Sequence, residues 1–466
     1  MRQVGARRPW QSFPVDTVEH LWLDLFSRGA ATIFGLFLFI ATTISLLRTA
    51  VVPRALRSVI SDAVTGAVRS TFWSIARVRK DYYKRDAVLA WSGPMIIVMW
   101  LISWLLLYMV AYGLWIYGLG GGGDIWAAIK QSGSSLFTLG FATPNNVDVT
   151  ALDFAAAATG PIVIALMIGF LPTIYGAYVD REVDVTLLGA TAGQPAWGPE
   201  LLSRLSMSHQ VDDLQSIYAD WKQWSAEIRL THVTYSVLVD VRSSKPTRNW
   251  VISLMAVMDA AALQLSVNRT LPRPPAVSVI VHGAQTLEVI YADLFVKQAK
   301  KRRIPFVGLF LSQPEATRTE HVEVPGITRS VIAVEIASAS DSAIGLPQFG
   351  IEELQHGEEA PITLTREEFD KAISMLKASG FPVEVEGDDA WAQFKVARAR
   401  YEFPAHEIAK KIDAVPAPWS GNRRIPTPVI WPTLATDVMD KLPPGVGAPA
   451  DSATNNKHSG KATNDS

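Results

Sequence analysis

Three long runs without a charged side chain constrain this chain more than any other feature. They cover Gly29–Leu47, Ala87–Gly123 and Phe154–Val179. About 20 predominantly apolar residues cross the hydrocarbon core of a bilayer as an α-helix, and each run is long enough to do so. The charged fraction of the chain is 19%, below the roughly 25% of soluble domains, and these runs account for the deficit. The sequence therefore predicts a membrane protein with three transmembrane helices.

The runs also divide the chain into segments of different character. We predict an N-terminal segment at 1–29, a first transmembrane helix at 30–52 and a basic amphipathic linker helix at 53–86. A module with the second and third transmembrane helices follows at 87–180, and a mainly helical domain at 181–434. The tail at 435–466 is rich in Pro, Gly, Ser and Asn and is predicted to be disordered. The predicted fold class is mainly α.

The distribution of basic residues predicts the topology. The first loop carries nine bases and the segment from Gly118 to Asp153 carries one, Lys130, so the positive-inside rule places the first loop in the cytoplasm and the second outside. The N-terminus is then outside and the large C-terminal region cytoplasmic. The linker helix either lies along the inner leaflet or packs on the cytoplasmic domain. The nine bases are Arg48, Arg54, Arg57, Arg69, Arg77, Arg79, Lys80, Lys84 and Arg85.

A short polar stretch between the second and third runs is the strongest functional signal. Asp124 is placed to cap a helix over 124–136, which is too short to cross a bilayer and would direct the negative end of its dipole into the membrane. The stretch 138–142 follows, and irregular backbone at membrane depth is tolerated only when it is buried in protein or lines a water-filled cavity. Gly140 permits backbone angles that let successive carbonyls face one axis. We therefore predict a re-entrant pore loop.

The third run has the small and cyclic residues of a helix that can bend. Gly160, Pro161, Gly169 and Pro172 lie within the inner helix predicted at 154–179. Small residues permit close helix approach, and Pro or Gly can kink a helix. We predict a hinge or gate at these positions.

In this order and spacing, the elements over roughly 88–180 resemble the pore module of potassium channels. The wider chain is similar to bacterial proteins of the ion channel or two-pore-domain-type potassium channel family, here with one pore loop per chain. The stretches that carry the resemblance are Ser132–Ala142, Phe170–Tyr175, Trp250–Ala262, Trp391–Phe394 and Ala417–Ser420.

The resemblance implies a site and an assembly. Thr138, Leu139, Gly140 and Phe141 map onto the selectivity filter, whose backbone carbonyls would bind potassium, and Ser134 and Ser135 lie on the pore helix. Ala142 completes the filter where the family has Gly. Thr143 stands where the family has an acid, so a carboxylate partner for the pore helix is missing, and other monovalent cations are candidate permeant ions. One pore loop per chain requires four copies, so we expect a homotetramer in the bacterial inner membrane.

The remainder of the chain gives no sign of catalysis. It has no Cys, no metal-ligand spacing among its eight His, and a net charge of −1, which gives no indication of nucleic-acid binding. We expect no cofactor, and we leave the ligand of the cytoplasmic domain unassigned. Trp221, Trp224, Ile228 and His232 share one helical face, which is either a bundle core or, with Tyr235, a ligand pocket. Two functions stay open: a cation channel, or a non-conducting membrane scaffold or sensor with a degenerate pore. A membrane-tethered enzyme is a third hypothesis, and no group of candidate catalytic residues supports it.

Overall fold

A computed structural model describes residues 15–52, 58–120, 123–142, 147–296 and 362–421. These residues form thirteen α-helices and no strand, in agreement with the predicted mainly α class. The helices are α1 Val15–Leu46, α2 Val59–Arg77, α3 Tyr82–Leu89, α4 Ser92–Gly118, α5 Ile125–Leu136, α6 Val147–Thr191, α7 Gly198–Met207, α8 Leu214–Thr234, α9 Trp250–Val267, α10 Arg273–Tyr291, α11 Arg366–Ala378, α12 Gly387–Ala399 and α13 Glu402–Lys411.

Four stretches of helix among the described residues are long and apolar enough to cross a membrane: Trp22–Val51, Tyr82–Gly118, Val149–Thr191 and Trp250–Val267. The most apolar windows of the first three are 28%, 44% and 28% buried within the protein, so large apolar areas face outward. The window of the fourth is 94% buried, so other helices enclose it. Three apolar helices therefore remain available to face lipid, and the fourth is the core of a separate group of helices.

Polar contacts join α1 to α4 along their length. The indole nitrogen of Trp115 donates to the carbonyl of Thr32 at 3.1 Å, and that of Trp104 donates to the hydroxyl of Ser45 at 3.0 Å. A Cβ on Gly118 would lie 2.0 Å from the Thr32 hydroxyl, so the helices approach closely at this end. Small residues and hydrogen bonds of this kind hold helices together where lipid removes the hydrophobic driving force.

The helices differ in extent from the second and third predicted segments. The first transmembrane helix was predicted at 30–52, whereas α1 begins at Val15 and includes an i, i+4 ion pair of Asp24 with Arg28 before the apolar run. The linker predicted as one helix over 53–86 contains two helices, α2 and α3. Asp81 ends the connection between them, since its carboxylate accepts from the amide of Lys84 and caps α3.

The helix that follows the candidate filter is longer than the sequence predicts. The inner helix was predicted at 154–179, whereas α6 spans 45 residues without interruption. It contains both Pro161 and Pro172, and it continues to Thr191, into the stretch 187–199 that the sequence predicts to be a linker. At 1.5 Å per residue α6 is about 67 Å long, more than twice the roughly 30 Å thickness of the hydrocarbon core.

We call the helices α7 to α13 the helical domain. The helix α9 lies at the centre of this domain. All eighteen residues of α9 are buried, and α7, α8, α10, α12 and α13 pack around them. On α8, Trp221, Trp224, Ile228 and His232 are buried on one face, so the interpretation as a bundle core fits the packing. A helix that is apolar all round belongs in such an enclosed position.

Other predictions for the C-terminal half have mixed outcomes. The sequence predicts a helix that begins with an N-cap at Thr365, and α11 begins there with a capping box to Glu368. The sequence also predicts one helix over 389–406, but α12 and α13 occupy this stretch, with a break at Arg400–Tyr401. Three other stretches lie outside the described residues: 331–336, for which the sequence allows a strand or an irregular insertion, the basic cluster at 300–303, and the tail at 435–466.

A buried ionic network holds α9, α12 and α13 together. The guanidinium of Arg398 is fully buried and donates to the carboxylates of Asp259 and Glu402 and to the carbonyl of Trp419. The hydroxyl of Tyr401 donates to Asp259 at 2.6 Å. Buried charges of this kind are tolerated because they are paired and hydrogen-bonded.

We predict that Arg398→Met destabilises the helical domain. Loss of the guanidinium leaves two carboxylates buried without their partner, which costs about 3–5 kcal/mol in comparable ion pairs. Thermal denaturation of the purified protein in detergent measures the change, with Lys371→Met on the exposed face of α11 as the matched control. Equal melting temperatures for the two variants would contradict the assignment of the network as a structural anchor.

Candidate functional site

The candidate site begins with α5, which α4 and α6 hold on two sides. The carboxylate of Asp124 accepts from the amide of Ala127 at 2.8 Å and caps the helix. On one side, the hydroxyl of Ser132 donates to the carbonyl of Met109 on α4 at 2.7 Å. On the other side, a Cβ on Gly160 would lie 2.0 Å from the carbonyl oxygen of Leu136, so only glycine permits this approach of α6.

A carboxylate that sequence reasoning did not single out braces α5. Asp153 on α6 is buried and accepts from the Gln131 amide at 2.8 Å and from the Ser135 hydroxyl at 2.6 Å. Thr143 supplies no carboxylate, but α5 has a carboxylate partner in Asp153. The available signal was that Asp153 is the last acid before the third apolar run, next to its first residue.

The segment Thr138–Ala142, which we call the candidate filter segment, is held by its amides. Those of Thr138 and Leu139 donate to the carbonyls of Ser135 and Ser134 at 2.9 and 2.8 Å. The amides of Phe141 and Ala142 both donate to the buried Ser134 hydroxyl, at 3.1 and 3.2 Å. Four of its five amides are thus engaged by the C-terminal turn of α5.

The sign of the backbone φ angle alternates along the candidate filter segment. Thr138 and Gly140 have positive φ angles of 55° and 72°, and the residues that follow each of them do not. A β-branched residue at positive φ is strained by about 1–3 kcal/mol and persists only where the surroundings impose it. Among the described residues no donor hydrogen-bonds to the carbonyls of Thr138, Leu139, Gly140 or Phe141.

The side chains of this segment are turned away from the core. Leu139 is 63% and Phe141 58% exposed, and nothing lies within 4 Å of the position a Cβ would take on Gly140. The ammonium of Lys130 lies 5.6 Å from the centre of the Phe141 ring, a cation–π distance. The C-terminus of α5, with its partial negative charge, ends directly at the segment. Oxygen ligands and a negative helix end favour a cation at this place.

The structure does not bring all of the predicted hinge residues to the site. Gly160 contacts the end of α5, so it serves close packing. Pro161 is next to it, on the exposed side of an unbroken helix. Gly169 and Pro172 lie about 14 to 18 Å further along α6 at 1.5 Å per residue, and a Cβ on Gly169 would meet only open space.

A second cluster joins the far end of α6 to the helical domain. Arg181 on α6 is buried and donates to the carbonyls of Leu238 and Val241 at 2.9 and 2.8 Å, and it pairs with Glu182. Its guanidinium lies 3.3 Å from the Nε2 of His232. Burial, reinforced by the adjacent guanidinium, holds the pKa of His232 well below its usual value, so this imidazole is neutral at neutral pH.

Leu238 and Val241 belong to the connection between α8 and α9, and we call its residues 235–242 the junction segment. This segment also contacts other helices. Arg69 on α2 forms a two-pronged ion pair with Asp240, and Arg242 donates to the carboxylate of Asp86 on α3 and to the carbonyl of Asp413 after α13. Sequence reasoning treated the bases of the first loop only as topology signals, because the pairing depends on residues 171 positions apart.

Among the described residues, no group of three or more His, Asp and Glu side chains is arranged to hold a metal ion. Comparison with protein-family models, with curated proteins and with solved structures finds no match to this chain. The functional argument therefore depends on the geometry of the chain itself.

We predict that Ser134→Ala loosens the candidate filter segment. Two part-buried amides lose their shared acceptor, and the penalty is at most the roughly 1–3 kcal/mol of a fully buried unsatisfied group. Hydrogen exchange read by mass spectrometry should show faster exchange across 139–142, whereas Ser70→Ala on the exposed face of α2 leaves it unchanged. Unaltered protection in the Ser134 variant would show that its hydroxyl does not hold the segment.

We also predict that Arg69 and Asp240 are energetically coupled. Arg69→Asp and Asp240→Arg should each lower the melting temperature, and the double variant should recover part of the loss because the pair is restored with reversed signs. Neighbouring residues of this kind couple by about 0.5–3 kcal/mol. Arg79→Asp, on an exposed position, is the control. Strictly additive effects would argue against the pair as a link between α2 and the junction segment.

Proposed function

We propose that this chain is one subunit of a homotetrameric, potassium-channel-like cation channel in the bacterial inner membrane. Four candidate filter segments surround one axis and conduct monovalent cations passively. The helices α4 and α6 form the wall of the pore, α5 is the pore helix, and the permeant ion is potassium or another monovalent cation.

One observation carries the proposal. The candidate filter segment directs its amides to α5 and leaves the carbonyls of Thr138, Leu139, Gly140 and Phe141 without a described donor. Rings of backbone carbonyls are the groups that replace the hydration shell of potassium in a channel. A single chain offers one quarter of such a ring, which is the physical reason for four copies.

The helical domain is cytoplasmic in this proposal, following the distribution of bases around the first two apolar helices. Its junction segment contacts α2, α3 and α6 together, through Arg69, Asp86 and Arg181. A rearrangement of the domain therefore acts directly on the helix that lines the pore. The domain is proposed to assemble the tetramer or to gate it.

A second function of a different class rests on two positions. Ala142 resists backbone angles that glycine adopts freely, and Thr143 supplies no carboxylate at the mouth of the pore. A non-conducting membrane scaffold or sensor would keep the same helices and the same tetramer. The buried Asp153 weakens this alternative, because it braces α5 without an acid at position 143.

We predict cation flux into liposomes that contain the purified tetramer, with potassium and then sodium as the only permeant cation. Gly140→Asp should abolish the flux, because a side chain and a charge enter the ring of carbonyls at a residue with positive φ. Thr138→Ala should alter the ratio of potassium to sodium flux. The comparison of the two ions measures what Ala142 costs in selectivity.

Gly66→Asp is the matched control, since Gly66 lies on the exposed face of α2 with open space around it. Flux that survives Gly140→Asp would exclude the candidate filter segment as the ion path. Absence of flux from folded, tetrameric protein under varied voltage and pH would favour the scaffold.

A further inference from the structure

We propose that the lower part of α6 carries a subunit interface outside the bilayer, formed against a second copy of this chain. Its residues are Tyr175, Val179, Val183 and Leu187, which we call the α6 row. The proposal rests on the homo-oligomer of the proposed function and assigns contact residues that a membrane-embedded pore does not require.

The α6 row lies beyond the reach of the hydrocarbon core. Asp153, buried against α5, marks the level of the candidate filter segment. That segment lies at membrane depth, and about 20 residues of helix cross the whole core, so the core ends no later than about Thr173. Asp180, Arg181 and Glu182 follow, in agreement with an aqueous level. Lipid tails therefore do not cover Val179, Val183 and Leu187.

The α6 row is exposed in a regular pattern. Tyr175, Val179, Val183 and Leu187 are 65%, 36%, 51% and 65% exposed, at every fourth residue. Side chains at this spacing form the ridge that packs into the groove of a neighbouring helix. The three apolar side chains of this ridge that lie beyond the core, those of Val179, Val183 and Leu187, indicate a surface that another protein covers.

Within the described ranges, no other part of the chain covers this ridge. The opposite side of α6 is occupied by the helical domain, where Arg181, Val185 and Leu188 are buried. The acidic residues Asp180 and Asp184 lie at the edge of the ridge and interrupt the apolar surface there. The exposed side of α6 is thus apolar in its centre and polar at its border, as expected of an interface.

A second copy is the occupant that fits this position. In the proposed tetramer four α6 helices surround the pore axis, so each ridge continues directly from the helix that lines the pore. The ridge is nearly free of charge, which suits contact with an identical apolar ridge and gives no complementarity to a charged partner. Equivalent residues of neighbouring copies then lie close together where the helices converge.

The natural chain contains no Cys, which permits a sharp test. Val179→Cys and Val183→Cys each introduce one thiol, so any disulfide must join two subunits. Membranes that contain each variant are oxidised with copper phenanthroline and read on a non-reducing gel. We expect a dimer band for both variants, because a disulfide needs Cα atoms within about 7 Å. Asp180→Cys, at the same depth on the border of the ridge, should give at least a fivefold weaker band.

The outcomes separate this inference from the proposed function. Cross-linking at 179 and 183 without ion flux would support the interface and favour the scaffold. Flux without cross-linking at either position, from variants that stay tetrameric on size-exclusion chromatography, would overturn the interface and leave the channel. Equal bands at 179, 180 and 183 would also overturn it, because they would reflect random collision.

Discussion

The hydroxyl of Ser134 anchors the candidate filter segment to α5. It accepts from two amides, those of Phe141 and Ala142, and it does so from a buried position near the end of α5. The amides of Thr138 and Leu139 are held by the same helix end, through the carbonyls of Ser135 and Ser134. The positive φ angles of Thr138 and Gly140 lie within this held stretch, and a β-branched residue keeps such an angle only under constraint.

The contacts around α5 depend on one another. Asp153 fixes α5 through Gln131 and Ser135, and the close approach of Gly160 sets the distance between α5 and α6. A larger residue at 160 would push α6 away and with it Asp153. The proposed cation site is therefore a property of two helices in contact rather than of five filter residues alone.

Local patterns predicted a large part of this architecture. Uncharged runs identify the apolar helices because transfer of charge into hydrocarbon is costly, and the spacing of Trp221, Trp224 and Ile228 predicts a buried face of α8. Boundaries were less predictable. The start of α1 and the break between α2 and α3 depend on weak local interactions, such as the hydrogen bond by which Asp81 caps α3.

Contacts between distant residues were beyond the reach of sequence patterns. Nothing in the neighbourhood of Arg69 or Asp240 indicates that they meet, and the burial of Arg181 requires the junction segment to fold back against α6. Asp153 was visible as an acid beside an apolar run, but its partners on α5 follow only from the packing. Charged residues in such positions are placed by tertiary structure.

The unbroken course of α6 has a mechanical consequence. One end is clamped beside the candidate filter segment through Asp153, and the other is clamped in the helical domain through Arg181. Between these points the helix measures about 42 Å at 1.5 Å per residue. A tilt of about 5° at one clamp displaces the other by nearly 4 Å over that length. In the proposed channel, this length of helix would convert a small angular change at the helical domain into an atomic-scale shift at the candidate filter segment.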